Sequence, residues 1–120
     1  MKKLFVAALV VMSTSVALAQ TAIMPKFSVA GAKGHILFKE KCAACHGETA
    51  LGTDIGPPLI HPFYRPGHHN DDQIRVAVTV GVEAHHWDFG DMPPIEGVSD
   101  EQQETLVVFI RELQRANGVK

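Results

Sequence analysis

The sequence predicts a small all-α domain, three to five short helices wrapped around a large bound object. Three observations predict it. Helix-capping residues open three segments, at Ser28, Asn70 and Ser99. The stretch from Gly47 to Asn70 is rich in glycine and proline and reads as loop. A structureless loop of that length is uncommon in a compact domain and becomes reasonable when it encloses something. The chain is also short: 120 residues fit one domain and exclude a second.

Composition narrows the function classes. Hydrophobic residues make up 46% and charged residues 20%, a globular profile. A formal net charge of −2 argues against a nucleic-acid partner, which would require a basic surface. Two cysteines cannot staple a multi-disulfide scaffold.

The first nineteen residues read as an export signal. Lys2 and Lys3 form the basic start, Leu4 to Met12 is an unbroken apolar run, and Ala17-Leu18-Ala19 supplies a small-x-small cleavage site. A membrane span needs about 20 apolar residues, more than this run or any other segment offers. Cleavage after Ala19 would leave a mature chain that does not span the membrane, in an oxidising compartment, most simply the periplasm. Its formal charge would be −4 once Lys2 and Lys3 are lost.

Residues 20–27 read as a loose lead-in, with the domain proper over 28–120. Ser28 caps a first helix over about Val29 to Cys42, with Gly34 and Phe38 four apart on one face. Residues 70–82 carry two signals. Ile74, Val76, Val78, Val80 and Val82 alternate as in a strand. Asn70 followed by Asp71 and Asp72 is a helix start, and Ile74, Ala77, Val78 and Gly81 share a helical face. Helix is the expectation. The last helix opens with a Ser99/Gln102 capping box, presents Leu106, Phe109, Ile110 and Leu113 on one stripe, and stops near Gly118. Arg111 and Arg115 are expected near its C-terminal end, where the helix dipole favours cations.

The chemistry sits in Cys42-Ala43-Ala44-Cys45-His46. Two thiols about one helical turn apart can reach the two vinyl groups of one porphyrin, and the next histidine is then held under the iron. This is the haem-attachment signature. Three other readings compete. A thioredoxin-like pair wants a βαβ context, whereas a helix precedes this motif and a Pro-rich loop follows. A zinc site needs four ligands at recognisable spacing. A structural disulfide has no use for His46. For the second axial ligand the candidates are Met24, Met92 and the other six histidines. Met92 stands out, because Gly90-Asp91-Met92-Pro93-Pro94 is a proline-stiffened loop just ahead of the last helix.

The order of these features resembles class I c-type cytochromes: haem motif early, methionine loop late, amphipathic helix last. The resemblance covers roughly residues 28–116. It implies one covalent haem c, with Cys42 and Cys45 as thioethers and His46 and Met92 on the iron. Gly34 and Phe38 resemble the family's N-terminal helix signature, with Phe109 as the aromatic partner on the last helix. Gly56-Pro57-Pro58-Leu59 resembles the family's Gly-Pro-x-Leu segment. There the carbonyl of Pro57 would accept the Nδ1 proton of His46, and Leu59 would pack on the haem. Phe63 and Arg65 fall at the family's spacing, which would bring Arg65 near a haem propionate. The lysine ring of mitochondrial members is missing, so docking through a basic collar is not expected.

The implied function is one-electron transfer between periplasmic or membrane-bound redox proteins, by a monomer without enzymatic activity. The alternatives are a haem enzyme or a gas- or peroxide-binding protein with a displaceable methionine. His68-His69 and His85-His86, with Asp88 and Asp91 nearby, offer a further alternative, a surface copper or zinc site. Adjacent loop histidines often point apart, so a polar, pH-sensitive surface is the expectation. Trp87 is expected to donate to a propionate or to pack in the haem pocket, and His61 to be solvated. The haem would supply much of the core, and the haem-free chain is expected to fold poorly.

Overall fold

The computed structural model describes residues 20–120. The expected leader and its Ala19 cleavage site lie outside the described residues. Four α-helices follow one another: α1 (Val29–Lys41), α2 (Ala43–His46), α3 (Asp71–Val80) and α4 (Asp100–Ala116), with a 3₁₀ turn at Pro62–Tyr64. No helix among the described residues is long and apolar enough to cross a membrane.

The three longer helices begin where their capping residues direct. The Ser28 hydroxyl accepts the Gly31 amide, and reciprocal capping boxes join Asn70 to Gln73 and Ser99 to Gln102. Residues 70–82 are therefore helical up to Val80, and Gly81 turns the chain out at φ +86°. The valine alternation misleads because only Val78 of that set is buried; Val76 and Val80 lie on the solvent face.

α1 and α4 cross at very close range, and Gly34 permits it. A Cβ there would land on the Thr105 carbonyl oxygen and 2.8 Å from the Phe109 Cβ. Around the crossing, Leu37, Phe38, Leu106, Phe109, Ile110 and Leu113 form the core. Phe38 and Phe109 are almost fully buried with ring centres 5.0 Å apart, and each buried ring contributes roughly 1.5–3 kcal/mol. His35 stacks on Phe109 at 4.9 Å.

The lead-in is better tied than expected. The Asn117 side-chain amide exchanges two hydrogen bonds with Ile23, accepting its amide at 2.7 Å and donating to its carbonyl at 2.8 Å. Phe27 packs against Phe109. The amide of Asn117 imitates a neighbouring strand, which a reading of local propensity does not register.

Arg111 also departs from expectation. Only Arg115 occupies the last turn of α4. Arg111 is buried and points across the molecule, because polar groups of the long loop need a donor there. Its Nε donates to Asp71 at 2.7 Å and its Nη1 to the Tyr64 carbonyl at 2.7 Å and Gln114 at 2.6 Å. Its Nη2 donates to the His69 carbonyl.

Two outcomes follow from the crossing. Gly34→Ala is expected to destabilise the haem-loaded protein by about 1–3 kcal/mol or more in denaturant unfolding, since the obstacle is backbone. The pKa of His35 lies below its ordinary 6.5, through burial first and Lys39 second, with Glu48 opposing. Its contribution to stability is thus complete above about pH 6.5 and lost as pH falls through the folded-state value. NMR titration should place that midpoint below 6.5, and His35→Phe should flatten this part of the acid limb.

Candidate functional site

α1 runs straight into the Cys42–His46 turn. The Cys42 amide donates to Phe38, and the His46 amide donates to Cys42 at 3.0 Å, so one helical turn presents both thiols and the imidazole. Gly47, at φ +79°, ends the turn in a conformation that other residues rarely adopt. Both cysteines are free. Burial, and next the neighbouring Cys45, push the Cys42 thiol up to about 11. A thioredoxin-like nucleophile requires the opposite shift, so a redox dithiol is disfavoured.

His46 is buried, and its Nδ1 stands 2.8 Å from the Pro57 carbonyl. A carbonyl can only accept, so Nδ1 carries the proton and Nε2 keeps its lone pair. Burial lowers the pKa of His46, opposed by the bond to Pro57, and the ring stays neutral. Gly56 packs against the motif; a Cβ there would sit 2.5 Å from the Cys45 carbonyl oxygen. Thr53 donates to that same oxygen at 2.6 Å.

Leu59 is half-buried, packs against the core, and donates its amide to Ala50 at 2.8 Å. Arg65 is exposed, and its Nη1 donates to the Pro62 carbonyl at 2.8 Å. Met92 is half-buried on the late loop, where its backbone forms an antiparallel bridge to Val82 with both hydrogen bonds at 2.9 Å. Gly81 makes room for that bridge: a Cβ there would collide with the Met92 carbonyl. Met24 lies exposed in the lead-in.

This donor set fits a covalently held haem: two unbridged thiols on one turn, and an adjacent neutral imidazole whose outer nitrogen is already engaged by a carbonyl. The cytochrome c family model matches residues 31–114. The chain belongs to the cytochrome c family. As a c-type cytochrome it takes covalent haem c, and its all-α architecture is that of the family. No curated protein and no solved structure matches the chain.

In this cytochrome the loop after the haem motif is held by side chains that the sequence did not single out. Gln114 donates to the carbonyls of Leu59 and Tyr64, both at 3.0 Å, beside the Arg111 contacts. The available signal was an Arg-x-x-Gln pair interrupting an otherwise apolar helix face. Trp87 donates its indole N–H to the Tyr64 hydroxyl at 3.0 Å. Burial raises the pKa of that phenol, and the Trp87 hydrogen bond opposes the shift.

Two surface expectations need correction. His61 is part-buried rather than solvated: its Nδ1 accepts the Phe63 amide at 3.2 Å and its ring sits edge-on to Phe63 and Trp87. The histidine pairs do not point apart. Ligand nitrogens of His68, His69 and His86 lie within 4.8 Å of one another, because the loop after the 3₁₀ turn lies against the segment before Met92.

Arg111→Met should loosen the long loop. The expected loss is roughly 2–4 kcal/mol in denaturant unfolding, between one charge-assisted hydrogen bond and a fully buried ion pair. Amide exchange should accelerate across residues 59–70 more than in α1.

Proposed function

We propose that the mature chain, residues 20–120, is an exported monomeric one-electron carrier in which His46 and Met92 are the two axial ligands of a haem bonded through Cys42 and Cys45. The observation that carries this reading is the His46 Nδ1 to Pro57 contact at 2.8 Å. It fixes the ring's rotation and tautomer before any cofactor arrives and raises the basicity of the free nitrogen. The position of Met92 supports the second ligand. Its backbone is pinned to Val82 on one side and stiffened by Pro93 and Pro94 on the other. A thioether presented from a rigid loop loses little conformational entropy on binding.

Haem bound in this way supplies a single-electron Fe(III)/Fe(II) couple, and Met/His ligation raises its potential. The protein holds the imidazole neutral, keeps the thioether in place, and packs Leu59 and the α1–α4 core around the motif. Ligands that barely move between oxidation states favour electron transfer over substrate turnover. Leu59 is proposed to contact the haem face. Arg65, exposed and bonded to the Pro62 carbonyl, is proposed to pair with a haem propionate.

The partners are proposed to be periplasmic or membrane-bound redox proteins. The formal charge of −4 on the mature chain favours partners that do not depend on a basic collar.

Visible spectroscopy tests the ligand assignment. Wild-type ferric protein should show the weak far-red methionine–iron band, and ferrous protein should not bind carbon monoxide at neutral pH. Met92→Ala should abolish the band, admit carbon monoxide and lower the potential by on the order of 0.1 V, within the roughly 0.8 V that axial ligands span. An unchanged Met92→Ala spectrum would remove Met92 as a ligand. Carbon monoxide binding by the wild type would favour a gas- or peroxide-handling role.

A further inference from the structure

The haem site leaves one constellation unused. His68, His69, His85 and His86 converge where the loop after Pro62–Tyr64 meets the segment leading to Met92. We infer that His68, His69 and His86 form a second metal site, for a divalent ion of the zinc or copper type, with a fourth position open to solvent.

The distances carry the inference. On a tetrahedral ion with metal–nitrogen bonds of about 2.0–2.1 Å, ligand nitrogens stand about 3.3 Å apart and imidazole centres about 5 Å apart. The Nε2 atoms of His68 and His86 are 3.3 Å apart. The three ring centres are separated by 4.8 Å for His68–His69, 5.2 Å for His68–His86 and 5.1 Å for His69–His86. The rings therefore already hold the mutual spacing of three ligands on one ion. The widest nitrogen gap is within 4.8 Å, and closing it takes a shift of about 1–1.5 Å, which side-chain torsions supply.

The surroundings are those of a ligand set. His69 Nδ1 donates to the Phe63 carbonyl at 2.6 Å, which leaves its Nε2 lone pair free. A backbone carbonyl on the outer nitrogen is the usual support of a metal-bound histidine. His86 stacks on the Phe63 ring at 4.6 Å, and the His69 backbone is held through its carbonyl by Arg111. An all-imidazole set selects zinc, copper or nickel over magnesium and calcium. Asp91 stands outside the three-residue group, its Oδ1 accepting the Ala84 amide at 2.9 Å. His85 lies beside the set, its ring 4.2 Å from that of His86, but its nitrogens fall outside the three-residue group. A bound ion would join the 61–69 loop to the 82–91 segment and so brace the approach to Met92.

Calorimetry on chelator-treated ferric holoprotein, titrated separately with Zn²⁺, Cu²⁺ and Mg²⁺ at pH 7.5, tests this. One equivalent of Zn²⁺ or Cu²⁺ should bind, Mg²⁺ should not, and the thermal midpoint should rise with the bound ion. His68→Ala and His86→Ala should each weaken binding by about 100-fold or more, beyond the usual 10–100-fold of an outer-shell change. His85→Ala should weaken it by less than about tenfold. Unaltered haem spectra in the variants confirm that they fold, and three-nitrogen coupling in the Cu²⁺ EPR spectrum would count the ligands. No uptake by the wild type, equal uptake by the His68 and His86 variants, or loss of binding in His85→Ala alone would each overturn the assignment.

Discussion

The structure depends on how closely α1 approaches α4. Gly34 lies against the Thr105 carbonyl, and the absence of one methyl group sets the separation of the two helices. α1 continues directly into the Cys42–His46 turn, so this crossing also fixes where the haem motif stands. Phe38 and Phe109 close the same contact from either side. A wider crossing would displace the two thiols and the imidazole together.

α4 performs a second task. Its apolar stripe faces α1, while Arg111 and Gln114 reach the other way to carbonyls of Leu59, Tyr64 and His69. A long loop rich in glycine and proline has many backbone acceptors and few partners of its own. Two side chains on a rigid helix satisfy several of them at once. The same loop supplies Pro57 to His46, so α4 supports this proposed ligand indirectly. Val82 and Gly81, at the end of α3, support Met92 in a comparable way. Each proposed axial ligand is thus placed by backbone hydrogen bonds rather than by packing alone.

What could be read from the sequence was mostly local. Ser28, Asn70 and Ser99 cap helices through bonds to the residue three positions on, and such bonds are visible in four residues of text. The Cys-x-x-Cys-His spacing and the Pro57 segment are also short. Family resemblance extended that reading to the bond between His46 and Pro57. The features that escaped it join distant positions. Arg111 meets Asp71 across 40 residues, and Asn117 meets Ile23 across 94. His68 and His86 belong to separate loops, and nothing in either loop alone indicates that their nitrogens meet. The helix-dipole rule assigns Arg111 and Arg115 alike to the C-terminal end of α4, and only the exposed Arg115 obeys it. Burial, which depends on the whole fold, decided otherwise.

The central claim is that a haem is bonded to this chain at Cys42 and Cys45 above the imidazole of His46. Mass spectrometry of proteolytic peptides, from protein made in a host that exports and matures c-type cytochromes, tests it directly. The account predicts that the peptide containing Cys42 to His46 carries one haem through both sulfurs. A colourless protein whose Cys42 and Cys45 are joined to each other would contradict it.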